Sequence, residues 1–157
     1  MNISYIDIQT TKQIKRNLNN LLENITEPSN KIPFFQGNNK KQYHLNGYRK
    51  DLQFIIDDLT PKDSIVYNIW SCIGSEGCYH DLHQHSKDTE DREAMILYLS
   101  VSDKDGDFIY INNDKKFNIK PEIGMKLTFP VDTLHGSTPQ GKGFRQTLNI
   151  DYIKLNG

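Results

Sequence analysis

The sequence predicts a mostly β fold, a sandwich or barrel with helices in front of it. Three observations carry that prediction. From residue 64 onwards, short β-branched and aromatic runs recur, each closed by Gly, Asn, Asp or Pro, as in all-β sandwiches and barrels. Before residue 64 the apolar residues recur every three or four positions, the helical period. No internal repeat or low-complexity linker divides the 157 residues, a length that suits one domain. The chain is therefore read as a single domain, 1–157, with 1–63 as helical and loop support and 64–157 as the β core.

Each element follows in order. Ile14, Leu18, Leu21, Leu22 and Ile25 predict a helix over 11–25, with Thr10 and Thr11 offering an N-cap and Glu27-Pro28 ending the pattern. Residues 28–47, rich in Asn, Gly, Lys and Pro, predict an irregular connection holding one short strand. Leu52, Phe54, Ile55, Ile56 and Leu59 predict a second helix over 48–59, stopped by Thr60-Pro61. Strands are expected at 64–70, 94–101, 108–111, 116–119, 125–129 and 145–153, separated by turns such as Asp103-Lys104-Asp105-Gly106 and Gln140-Gly141-Lys142-Gly143. Two helices ahead of such strands would pack on one sheet and cover it.

Charge and cysteine content narrow the function classes. Lys and Arg number 19 against 20 Asp and Glu, so there is neither a nucleic-acid footprint nor a polybasic membrane anchor. Met1 to Tyr5 lack a basic stretch followed by an apolar core, and no apolar run approaches bilayer length; a cytoplasmic protein is expected. Cys72 and Cys78 are too few for a disulfide framework and poor as a zinc site, so both are expected as reduced, half-buried thiols.

The informative constellation is histidine with arginine. His83 and His85 lie at i and i+2, which places both imidazoles on one face of an extended strand. His135, fifty residues on, can close one face of a transition metal, and imidazole suits iron, zinc, copper and nickel alike. Arg145, ten residues further, can hold the carboxylate of an acid chelated to that metal, because a guanidinium forks onto a carboxylate bidentately. Asn68 and Trp70 share a strand face just upstream, and Trp70 reads as core.

These residues carry a family resemblance. Residues 64–153 resemble the double-stranded β-helix, a jelly-roll or cupin-like sandwich, of Fe(II)- and 2-oxoglutarate-dependent dioxygenases, in particular the prolyl-hydroxylase-like branch. Gly77 to His85 resembles the metal-binding strand, and Leu97-Tyr98-Leu99-Ser100 the next. Gly106-Asp107-Phe108 resembles a turn that usually reads Gly-Gly-hydrophobic, and Ile119 to Pro130 the approach to the distal histidine. His135 to Pro139 and Gly143 to Leu148 resemble the last two strands. One departure matters: the family usually has His-x-Asp or His-x-Glu, and this chain has neither, with His85 standing at the acidic position. An all-imidazole set leaves an iron site one negative charge short. Asp81, Asp88 and His80 are alternatives to a member of the pair.

The resemblance implies Fe(II) held by His83, His85 and His135, with 2-oxoglutarate as co-substrate anchored by Arg145 and hydrogen-bonded by Thr147 and Tyr98. It implies hydroxylation of a peptidyl or small-molecule C–H bond using O2, with release of succinate and carbon dioxide. No catalytic residue beyond the metal centre is expected. Specificity would come from residues 28–50, 86–93 and 131–144, since loops vary around a shared scaffold. Two rival expectations stand beside it: a cupin-type three-histidine metalloenzyme that does not use 2-oxoglutarate, and a β-sandwich binding module without catalysis.

Overall fold

The chain opens with a strand that its sequence pattern does not announce, Asn2–Tyr5 (β1), whose four side chains are all exposed. A strand with no buried face carries no period-two signal, and β1 is fixed instead by pairing along Met125 to Thr128. The first helix, α1, spans Ile8–Leu22. Its N-cap is Asp7, not Thr10 or Thr11: the Asp7 carboxylate accepts from the Thr10 amide at 2.9 Å, so the helix starts three residues before the expected position. Thr11 turns inward, its hydroxyl donating to the Asp7 carbonyl. The computed structural model describes residues 1–25, 27–29, 33–87 and 91–155.

The connection after α1 holds two short strands where one was expected, Phe35–Gln36 (β2) and Lys41–His44 (β3). A 3₁₀ turn at Asn46–Tyr48 leads into α2, Arg49–Leu59, close to its expected limits. The β core follows: Ser64–Gly74 (β4), Tyr79–His80 (β5), Arg92–Ser100 (β6), Phe108–Asn112 (β7), Lys115–Ile119 (β8), Met125–Pro130 (β9), His135–Ser137 (β10) and Arg145–Lys154 (β11). They form a six-stranded sheet of order β1-β9-β6-β11-β4-β3, a three-stranded sheet β10-β7-β8 and a two-stranded ribbon β2-β5. Every pairing is antiparallel.

The large sheet has two different faces. Towards the helices it presents Met95, Leu97 and Leu99 of β6, Leu148, Ile150 and Tyr152 of β11, and Val66 and Ile69 of β4, packed against Ile14, Leu18 and Leu22 of α1 and the apolar stripe of α2. Towards the small sheet it presents Ala94, Ile96, Tyr98, Leu127 and Phe129, which meet Phe108. The alternation along β11 then sends Arg145, Thr147, Asn149 and Asp151 to the face opposite Leu148 and Ile150. All four polar residues are buried. An inward polar stripe between two apolar clusters is where a binding site can form.

Both cysteines are free and fully buried, more so than the half-buried state expected from sequence. Among the described residues no helix is long and apolar enough to cross a membrane.

Leu18 is fully buried where α1 meets the sheet. Leu18→Ala should lower unfolding free energy by about 2–5 kcal/mol, the range for emptying a packed leucine site. Denaturant unfolding measures this, and a loss below about 1 kcal/mol would mean that α1 is not integral to the core.

Candidate metal centre

His83 and His85 lie on an irregular segment that follows β5, not on a regular strand. Backbone bonds to β10 and to the β9–β10 connection hold it in place. His83 and His135 exchange both ladder bonds, amide to carbonyl, at 2.8 and 2.9 Å, and the His85 amide donates to the Val131 carbonyl at 2.9 Å. This doubly bonded pair places the His83 and His135 rings side by side, with centroids 4.4 Å apart. Gly136 permits the close approach: a Cβ there would sit 2.7 Å from the His80 carbonyl oxygen.

The three imidazoles converge. One ligating nitrogen from each of His83, His85 and His135 lies within 4.8 Å of the other two, the one such cluster among the described residues. Each ring is also oriented by its other nitrogen. Nδ1 of His83 meets the Asp81 carbonyl at 2.7 Å, Nδ1 of His135 the Thr133 carbonyl at 2.9 Å, and Nδ1 of His85 the Asp151 carboxylate at 2.9 Å. A carbonyl or carboxylate oxygen can only accept, so Nδ1 carries a proton in each ring, which leaves Nε2 as the nitrogen that can ligate. Burial, ahead of mutual repulsion, holds His135 well below the ordinary histidine range and also lowers His83. Neutral imidazoles with lone pairs converging are the ligating form, and the donor set fits a transition metal.

The alternative ligands fall elsewhere. The Asp81 carboxylate is exposed and accepts from Gln36 at 2.8 Å. His80 stacks flat on Phe35, with centroids 4.3 Å apart, and its Nε2 is 4.0 Å from the Cys72 sulfur. Burial pushes the Cys72 thiol up to about 12, so the metal-free chain keeps it protonated. Asp88 lies outside the described residues.

Arg145 shares the cavity with the histidines. His80, His83, His85, His135, Tyr98, Ser137, Arg145, Thr147 and Asn149 all line one cavity of about 60 Å³. Ser137, two residues beyond His135 on β10, accepts from the Arg145 guanidinium at 3.3 Å. The strand repeat therefore separates the histidine from the arginine's partner by about 6.6 Å. Tyr98 and Thr147 stand opposite each other on β6 and β11. Burial pushes the Tyr98 phenol up to about 12, so it keeps its proton. Thr147 Oγ1 accepts from Asn149 at 3.0 Å, which leaves its own proton to donate.

Four residues in or beside the cavity were not picked out from the sequence. Asn149 and Asp151 continue the Arg145, Thr147 alternation, a signal that was there to extend. Asp105, in a turn, pairs with Arg145 at 3.3 Å; nothing in a turn sequence marks such a partner. Trp70, read as core, packs partly buried against the Phe35, Cys72 and Cys78 cluster and also lines the cavity, its ring edge-on to His85 at 5.2 Å.

No family model and no curated protein matches the sequence. Solved structures match over nearly the whole chain. An oxidoreductase of the 2OG-Fe(II) oxygenase family from Burkholderia pseudomallei aligns at TM-score 0.67 and 10% identity, covering 99% of this chain and 86% of that one. A prolyl hydroxylase from Trichoplax adhaerens, in complex with a hypoxia inducible factor oxygen degradation domain peptide fragment, aligns at TM-score 0.71 and 16% identity, covering 98% and 83%. HygX from Streptomyces hygroscopicus, with nickel and 2-oxoglutarate bound, aligns at TM-score 0.68 and 11% identity, covering 98% and 82%. The fold is that of the 2OG-Fe(II) oxygenases. Its double-stranded β-helix is the architecture expected from the sequence, and the candidate centre lies between its two sheets.

Burial favours neutral His80, lowering its pKa from 6.5 to about 3. Its unfolded form takes up a proton near pH 6.5 and its folded form does not, so this contribution to stability is present above pH 6.5 and is lost as pH falls towards 3. Unfolding free energy should therefore decline between those limits, and His80→Phe should flatten the decline. An unchanged slope in the variant would remove His80 from the account.

Proposed function

We propose that this chain is an Fe(II)- and 2-oxoglutarate-dependent dioxygenase that hydroxylates a C–H bond of a peptidyl or small-molecule substrate. The observation that carries the reading is the meeting, in one cavity of an oxygenase fold, of three oriented imidazoles with a buried guanidinium. His83, His85 and His135 would hold the iron. When bound, iron supplies the coupled oxidation in which 2-oxoglutarate, O2 and a substrate C–H bond yield succinate, carbon dioxide and the hydroxylated substrate. The residues around it bind, orient and exclude water.

Arg145 would bind the distal carboxylate of 2-oxoglutarate. Its two protein contacts are both long, 3.3 Å, which leaves donors of the five-N–H fork for an incoming acid. The protonated Tyr98 phenol and the Thr147 hydroxyl add neutral donors on the same wall. Phe108 and Phe129 pack against His135 and keep its side of the centre apolar. Substrate would approach over the groove formed by Phe34, Trp70, Gln42, Asn68 and Gln84, which includes no Lys or Arg among its described lining. Such a lining favours a neutral or cationic group over an anionic one.

A second reading, a three-histidine metalloenzyme that does not use 2-oxoglutarate, is favoured by one observation. Asp105 already gives Arg145 a buried carboxylate partner, and the Asp105 Oδ2 atom has no hydrogen-bond partner among the described residues. On that reading Arg145 and Asp105 are a structural ion pair.

Turnover separates the two. Anaerobically purified chain, given Fe(II), ascorbate and 2-oxoglutarate and then air, should form succinate. Arg145→Ala should raise KM for 2-oxoglutarate by about 10–100-fold, the worth of charge-assisted hydrogen bonds, while iron binding survives. His135→Ala should abolish metal loading. Wild-type chain that loads iron without forming succinate supports the second reading, and iron retained at full stoichiometry in His135→Ala removes His135 from the ligand set.

A further inference from the structure

Three neutral imidazoles bring no formal charge to a divalent cation, whereas two imidazoles and an acid bring one. His85 stands where the resembled enzymes carry the acid, and it differs from its two companions in one respect. His83 and His135 donate Nδ1–H to backbone carbonyls; His85 donates to a carboxylate, Asp151, at 2.9 Å. Asp151 is 3% exposed. Its position follows from the strand: it is the last inward residue of β11 before the register with β4 shifts between Asp151 and Tyr152. Among the described residues, its ion-pair partner is His85.

We infer that Asp151, acting through His85, supplies the negative charge that the three-histidine set lacks, so that His85 and Asp151 together take the place of an acidic metal ligand. The inference rests on the reading of His83, His85 and His135 as a metal site. A buried carboxylate is costly unless it is compensated, and the ring it touches faces the point where a cation would sit. The Nδ1–H···carboxylate bond makes Nε2 a stronger donor and spreads negative charge towards the metal, the arrangement of a carboxylate–histidine–metal relay. Distance adds specificity: the carboxylate acts through one ring alone. Asp151 is thus a positioning residue, with no contact to the metal itself. The same geometry explains why a chain without His-x-Asp or His-x-Glu keeps the inward stripe of β11 polar to its end, where an apolar residue would pack more cheaply against Ala94, its partner across β6.

The test is a double-mutant cycle on metal affinity, read by calorimetry and by the visible spectrum of Co(II) added alone to metal-free protein. Asp151→Asn keeps the shape and removes the charge. It should weaken Co(II) binding about 10–100-fold. In a His85→Asp background the acid is a direct ligand, and Asp151→Asn there should change affinity less than about threefold, because the relay no longer exists. The His85→Asp, Asp151→Asn chain also serves if Asp151→Asn alone does not fold, since near-wild-type affinity in it supports the inference. Equal losses in both backgrounds would show a general structural role and overturn the inference, as would unchanged affinity in Asp151→Asn. If wild-type chain takes up no Co(II), the metal-site reading falls and this inference with it, which separates that failure from the others.

Discussion

The alternation of side chains along Arg145–Lys154 is the constraint on which the rest of the structure depends. Leu148, Ile150 and Tyr152 on one face secure both helices to the large sheet. Arg145, Thr147, Asn149 and Asp151 on the other are kept from water by the small sheet and β-ribbon. The two roles cannot be separated, because a one-residue slip would exchange the faces and put a guanidinium and a carboxylate against the helices. Long ladders on both sides, to β4 and β6, hold the register. The strand's outward face therefore holds the helices, and its inward face lines the candidate site. Arg145 sits at one end of the polar stripe and Asp151 at the other, with about 20 Å of strand between them.

Electrostatics organise the space between those ends. Burial disfavours charge on His83, His135 and His80, so the interior holds neutral rings at neutral pH. Among the described residues two buried carboxylates remain, and each is paired: Asp105 with Arg145, Asp151 with His85. The arginine end is thereby a compensated cation, and the histidine end is a carboxylate bonded to an imidazole N–H. A divalent cation is accommodated at the second end far better than at the first. This asymmetry, more than the count of histidines, gives the cavity a direction.

Much of this was legible in the sequence, and the reasons differ by element. Helices α1 and α2 are legible because each has one buried face, which prints a period, and the long strands because their β-branched and aromatic runs are closed by turn residues. β1 has no buried face and prints none. The α1 cap lies at Asp7 because a carboxylate three residues before Thr10 reaches its amide, a geometry that Thr10 and Thr11 do not supply at the helix start. The histidine and arginine positions stand out because they depart from the pattern of their surroundings. Their convergence does not follow from strand alternation alone, since His83 and His85 lie on an irregular segment aligned by bonds to β10. Asp151 was equally legible at period two from Arg145. Asp105 was not, because its meeting with Arg145 depends on how a turn folds back across forty residues.

The physical core of the account is that three imidazole nitrogens share one cation in front of a buried acid. X-ray absorption on anaerobically Fe(II)-loaded protein counts those nitrogens directly, through the multiple scattering of imidazole rings. Three imidazoles around a single iron and no carboxylate from the protein are expected. Two imidazoles, or a protein carboxylate in the inner sphere, would contradict that.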